Sequence, residues 1–145
     1  MSGFLLDTNV PSEMVHSQPE PRVLAWIDAQ RLDTLFLSTV SVGEFVKGIE
    51  LRPPSKKRTE LETWLQGDVE RLFFGRILPV TRSIAERWGV LTAKRRLLGT
   101  PLNMADGIIA ATALEHNLTL VTRNVKDFED LGLSILNPWD ATQSR

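Results

Sequence analysis

Apolar and polar positions along this chain alternate between two kinds of run. Short, nearly unbroken apolar stretches predict strands over 3–6, 35–38, 77–80, 119–122 and 134–136. Between them, apolar residues recur at spacings of three and four, as helices require. Helices are expected near 10–15, 20–30, 41–51, 55–73 and 82–98. Leu61, Trp64, Leu65, Val69, Leu72 and Phe73 form the inward stripe of the fourth, and Ile84, Trp88, Leu91 and Leu98 that of the fifth. The stretch MADGIIAATALEH is apolar almost all round, which marks a core helix carrying an acid, Asp106, at its start. HSQPEPR and LRPPSKK read as joints between helices rather than domain linkers. This alternation predicts one α/β domain over 1–145, a three-layer sandwich with a mainly parallel central sheet.

In such a fold the loops beyond the carboxyl ends of the strands form the site. Asp7 ends the first strand, Glu44 lies one turn into the helix after the second, and Asp106 opens the core helix. Asn124 and Asp127 follow the strand TLVT. Each has an ordinary explanation. Asn9 can cap a helix ahead of Pro11, Ser41-Val42-Gly43-Glu44 matches a capping box, and Asp106 is a first-turn acid suited to the helix dipole. Asn124 and Asp127 are common turn residues. What the ordinary explanations leave out is convergence. Two carboxylates about 5 Å apart repel by roughly 3 kcal/mol at an effective dielectric near 20, so three such acids need a cation or shared protons.

Composition narrows the choice of cation. The chain lacks cysteine and has only 2 histidines, so thiolate zinc sites, disulfides and a cysteine nucleophile are excluded, and His16 and His116 are too few for a zinc cluster. Oxygen ligands favour Mg²⁺ or Mn²⁺, which at a phosphate polarises an oxygen and activates water without a covalent enzyme intermediate. With 17 Lys and Arg against 18 Asp and Glu, the formal charge is -1, and any nucleic acid must be held by local patches. Arg82, Lys94, Arg95, Arg96 and Arg123 are the candidates for that contact, and Lys56-Lys57-Arg58 reads as a solvated helix start. No apolar run is long enough to span a bilayer and no signal peptide is evident, so a cytoplasmic location and no membrane partner are expected. Trp64 and Trp88 lie on apolar stripes and are expected to pack rather than to stack on bases.

FLLDTNV followed by SE, the glutamate of STVSVGEF, and MADGIIAATALEHNLTLVTRNVKDF together resemble a PIN-domain ribonuclease, specifically the VapC-type toxin of a toxin–antitoxin pair, with a likeness to the FitB branch. The resemblance runs from Gly3 to about Trp139. It implies Mg²⁺- or Mn²⁺-dependent endonuclease activity on RNA, a homodimer, and a cognate VapB-type antitoxin that inhibits it. Asp7, Glu44 and Asp106 match the metal-binding acids of that family. The fourth acid matches either the position of Asn124, which offers an amide oxygen but no charge, or that of Asp127. Thr8, Asn9, Thr39 and Thr122 are supporting candidates for holding water or phosphate oxygens. Pro11 departs from the aliphatic residue common at its place. Val15, Leu24 and Ile27 on the first helices offer an apolar surface for an antitoxin segment, although core packing accounts for each alone.

Two other classes fit an aspartate at a strand's end. A receiver or a haloacid-dehalogenase-like phosphatase would use Asp7 as a covalent phosphoacceptor, but Asn9 stands where that phosphatase carries a second acid. A non-catalytic binding module would treat every acid as a cap. Neither a dinucleotide fingerprint nor a phosphate-binding loop is present.

Overall fold

The computed structural model describes residues 3–140. Its centre is a five-stranded sheet in the order β3-β2-β1-β4-β5, built from β1 (Phe4–Leu6), β2 (Leu35–Ser38), β3 (Ile77–Leu78), β4 (Thr119–Val121) and β5 (Ile135–Leu136). Every pairing is parallel, with Phe4 opposite both Leu35 and Thr119. The chain winds outward from β1 through β2 to β3, then crosses to the far side of β1 for β4 and β5. The order therefore reverses at β1, and a crevice opens at its carboxyl end.

Both sheet faces are covered, which is why the strands read as continuous apolar runs. Alternation sends Leu5 and Leu120 into one core with Ile84, Leu91, Ile109 and Phe128. Leu6, Leu35, Leu37 and Val121 enter the other, with Val10, Val23, Trp26, Trp64 and Phe73. The first core is roofed by α6 (Arg82–Leu97) and α7 (Met104–Glu115). The second is roofed by the short α1 (Asn9–Ser12), by α2 (Pro21–Ala29), and by Trp64 and Val69, which lie between α4 (Lys56–Thr63) and α5 (Glu70–Leu72). Phe45 of α3 (Thr39–Glu50) packs edge-on against Trp64, ring centroids 5.0 Å apart.

Several element details differ from the sequence expectation. Helix α3 starts at Thr39, capped by the Ser38 hydroxyl, so Ser41 is free for other work. Asn9 is the first residue of α1 and makes no cap; the turn continues as a 3-10 segment, Glu13–Val15. The helix expected over 55–73 is interrupted by a π segment, Trp64–Val69. Residues five apart lie on one face only in such a wider turn, which lets Trp64 and Val69 both point inward. Leu98 lies beyond the end of α6 and is exposed, and Ile27 is buried rather than available on the surface. Gly99, at φ 79°, takes the left-handed turn that ends α6 and redirects the chain toward α7. Gly107 permits a close crossing of α6 over α7: a Cβ there would lie 2.7 Å from Cδ1 of Trp88.

Candidate active site

Asp7 is the first residue after β1, and its N–H still donates to the Val121 carbonyl at 2.9 Å. That bond holds it in the crevice between β2 and β4, only 4% exposed. Its Oδ1 accepts the Thr8 N–H at 2.8 Å, and its Oδ2 accepts the Thr122 hydroxyl at 2.7 Å. Burial raises the Asp7 pKa, the bonds from Thr122 and Thr8 pull against that rise, and the charges of Glu44 and Asp127 add to it. Thr122, fully buried at the end of β4, also accepts the Asn124 N–H at 3.0 Å, which fixes the start of the loop carrying Asp127.

Glu44 belongs to a hydroxyl relay. Thr8 donates to Glu44 Oε1 at 2.7 Å, and its one proton is thereby used. The 2.9 Å contact between Thr8 and Ser41 must then have Ser41 as donor. Ser41, fully buried, is the site residue the sequence reading missed, because its spacing to Glu44 imitates a capping box. Asn103 was missed too. It caps α7 by accepting the Asp106 N–H at 2.9 Å and donates its amide to Asp106 Oδ2 at 3.1 Å. An Asn immediately ahead of an apolar helical run is a readable cap signal.

Asp106 is the most perturbed acid. Its pKa is pushed up to about 6, first by burial and then by the negative charges of Asp7, Asp127 and Glu44, with the Asn103 bond opposing. Acids from four separate elements thus act on one another, and the charges of Asp7, Asp127 and Glu44 all raise the Asp106 pKa. Asp127 is exposed on a 3-10 turn (Val125–Phe128) tied back by its N–H to the Asn124 carbonyl at 3.1 Å. Asn124 and Thr39 are exposed beside these loops.

Among the described residues, no three His, Cys, Asp or Glu side chains converge on one point as ligands of an ion would. The acids are electrostatically coupled but stand apart. A small hard dication keeps several waters in its shell, so not every oxygen donor need touch it directly. Asn9 points the same way: its amide is 3.5 Å from Asp7 Oδ2, while its Oδ1 is buried without any donor. A cation with its water shell would supply what that oxygen lacks.

The cations expected to meet phosphate have varied placements. Arg95 is committed to structure: its Nε donates to the Thr100 carbonyl and hydroxyl at 2.8 and 3.0 Å, and Nη1 reaches the Asp127 and Glu129 carbonyls at 3.3 and 3.5 Å. It clamps the α6–α7 turn to the Asp127 loop. Arg82 pairs with Glu86 at 3.3 Å, and Arg123 lies 5.5 Å over the Trp139 ring. Lys94 and Arg96 are exposed at the end of α6. In the Lys56-Lys57-Arg58 run, Lys57 bonds the Val15 carbonyl and Arg58 bridges to Glu50 at 2.9 Å, so two of the three brace helices together.

Comparison with known proteins follows the same lines. The PIN domain family matches residues 4–132. The VapC ribonuclease Y4jK of Sinorhizobium fredii is 41% identical over 137 residues, covering 94% of this chain and 98% of that protein. The crystal structure of FitAcB from Neisseria gonorrhoeae superposes with a TM-score of 0.87 at 38% identity, covering 94% of this chain and 98% of that one. The crystal structure of DNA-bound VapBC from Salmonella typhimurium gives 0.80 at 26% identity, with 97% and 100% covered.

Proposed function

Because the chain belongs to the PIN domain family, we propose that it is the toxin of a toxin–antitoxin pair, a divalent-metal-dependent endoribonuclease that hydrolyses RNA phosphodiester bonds. The observation that carries this reading is the convergence of Asp7, Glu44, Asp106 and Asp127 near the carboxyl ends of parallel strands, where the charges of Asp7, Asp127 and Glu44 all raise the Asp106 pKa. Names among similar proteins agree: a VapC ribonuclease at 41% identity and Toxin FitB at 38%.

Asp7, Glu44, Asp106 and Asp127 are the residues that would hold Mg²⁺ or Mn²⁺, with Asn124 at the rim. When bound, the ion lowers the pKa of water and neutralises charge developing on phosphate oxygens. The chain's own contribution is orientation. Thr122 and the Thr8 N–H hold the Asp7 carboxylate in one rotamer, and the relay from Ser41 through Thr8 does the same for Glu44. Asn103 aims Asp106 from the helix cap. Raised pKa values at Asp7 and Asp106 mean that ion and proton compete for these acids, so activity rises with pH as they ionise.

The partners carried by this reading are RNA as substrate, a VapB-type antitoxin, and a second copy of the chain. Val90 and Leu97, exposed seven residues apart on α6, supply one apolar strip for association. The phosphoacceptor alternative is weakened by Asp7, which is buried with both oxygens already bonded. Among the described residues no helix is long and apolar enough to cross a membrane.

Purified, antitoxin-free protein incubated with total RNA should cleave it with Mg²⁺ or Mn²⁺ and not with EDTA. Asp7→Asn and Asp106→Asn should each lower the rate by about 100-fold or more, as loss of several kcal/mol of charge stabilisation requires. Both variants should keep the native circular dichroism spectrum. Full activity in both ends the proposal.

A further inference from the structure

Two hollows flank the carboxylates, and they differ in kind. The smaller, about 170 Å³, is bounded by Asp106, Asp127 and Arg95, whose guanidinium is spent on backbone carbonyls. The larger, about 370 Å³, opens beside Thr8 and Glu44 and runs between the 3-10 turn after α1, α3 and α4. Its size falls in the range of about 300–1,000 Å³ typical of pockets for small organic groups.

The larger hollow has an apolar floor and a basic rim. Phe45, Ile49, Leu61 and Trp64 form the floor. Trp64 is 5% exposed, and its buried Nε1 has no partner. Arg52 and Lys57 stand on the rim with His16. Lys57 is held by the Val15 carbonyl and lies 3.6 Å from Glu60, whereas the Arg52 guanidinium has no partner among the described residues. His16 accepts the Gln18 N–H on Nδ1 at 3.2 Å, so the neutral ring carries its proton on Nε2, which is left to donate outward.

We propose that this cleft is a subsite for one unpaired RNA nucleotide next to the scissile phosphate, its base against the Phe45–Trp64 floor and its phosphate at Arg52 and His16. The proposal rests on the nuclease reading and deepens it by specifying single-stranded substrate. Three features select this occupant. The cleft shares Thr8 and Glu44 with the acid site, so a chain whose phosphate lies at the acids continues into it. The free cation and free imidazole donor are suited to an anion, and among the described residues Glu44 is the only acid lining the hollow. An apolar floor of this kind accepts a base only when that base is out of a duplex stack.

Gly48 provides the test. It lines the cleft on α3, and a Cβ built there meets nothing within 4 Å, so Gly48→Leu fills the hollow while improving helix propensity. Binding is measured by fluorescence anisotropy in an Asp106→Asn background, with a labelled eight-nucleotide oligouridylate and a blunt RNA duplex as probes. The single strand should bind more tightly than the duplex. Gly48→Leu and Arg52→Ala should each weaken single-strand binding about fivefold or more, and Arg52→Ala should reduce the slope of log affinity against log salt by about 0.7, the share of one phosphate on a single strand. Arg31→Ala, an equal charge change at the opposite end of β2, should leave affinity within about twofold. Unchanged oligouridylate binding in both cleft variants overturns the proposal and leaves the hollow to a polypeptide. Cleavage by the unmodified protein is assayed in parallel: cleavage with no cleft effect sinks the subsite alone, and a cleft effect without cleavage sinks the nuclease reading alone.

Discussion

Replacing Asp106 by Asn should stabilise the ion-free protein, at a residue proposed to be essential for its activity. A carboxyl raised from 3.8 to about 6 prefers its proton in the folded state. At 1.36 kcal/mol per pH unit that preference corresponds to about 3 kcal/mol of destabilisation once the group is ionised. Asp106 is partly exposed, so solvent screening reduces this to about 1–1.5 kcal/mol. The dipole of α7 favours a charge in its first turn and takes back some tenths more, leaving roughly 1 kcal/mol. For a chain of this length that is a rise of about 3 °C in melting temperature. The sign follows from linkage: in the unmodified protein the penalty is absent below about pH 4, grows as pH rises toward 6, and is constant above about 7. The Asn variant lacks it, so its advantage is full at pH 8 and gone near pH 4. Thermal melts in EDTA at pH 4, 5, 6, 7 and 8 read this directly. Saturating Mn²⁺ should reverse the order at pH 8, since an ion at 100 times its Kd adds about 2.7 kcal/mol to the protein that binds it. An Asn variant that melts below the unmodified protein at pH 8 in EDTA, or a difference independent of pH, refutes the electrostatic account.

Two further outcomes follow from neighbouring contacts. Thr122→Val removes the bond that does most to restrain the Asp7 pKa, so that pKa rises further and a buried oxygen is left unpaired at a cost of about 1–3 kcal/mol; denaturant melts should show a deficit at pH 8 that narrows toward pH 4, with Thr122→Ser restoring most of it. Gly107→Ala places a methyl against Trp88 and should destabilise by about 1–3 kcal/mol despite the better helix propensity of Ala, whereas equal or greater stability in urea denaturation would show that α6 yields at the crossing.

The parts of the fold that sequence reading reached are those where one physical rule dominates. Runs such as FLL and TLV are apolar without alternation because both sheet faces are covered, so strands and the parallel sheet were readable. Asp7, Glu44 and Asp106 could be proposed together because the ends of parallel strands gather at one rim. What escaped depended on competition between local and distant partners. Ser41 looks like a cap to any local rule, but Ser38, three residues earlier at the end of β2, takes that role, releasing Ser41 to Thr8. Arg95 looked like a free cation because carbonyl acceptors carry no sequence signature. The π segment was invisible for a related reason: apolar spacings of three and four in the run 61–73 are satisfied as well by a regular helix.

That segment has a bearing on how such a protein diversifies. A π turn is an α-helix holding one supernumerary residue, here between Trp64 and Val69. Deleting a single codon in it would restore regular winding and leave Trp64 and Val69 four residues apart, still on one face, so Leu61 and Trp64 would keep their direction relative to Val69 and Phe73. The downstream residues would stay anchored under the sheet, and no carboxylate-bearing loop would move. A one-residue indel at this one spot can therefore be absorbed in the winding of the helix, while the wall of the larger hollow and the chemistry at the strand ends are inherited unaltered.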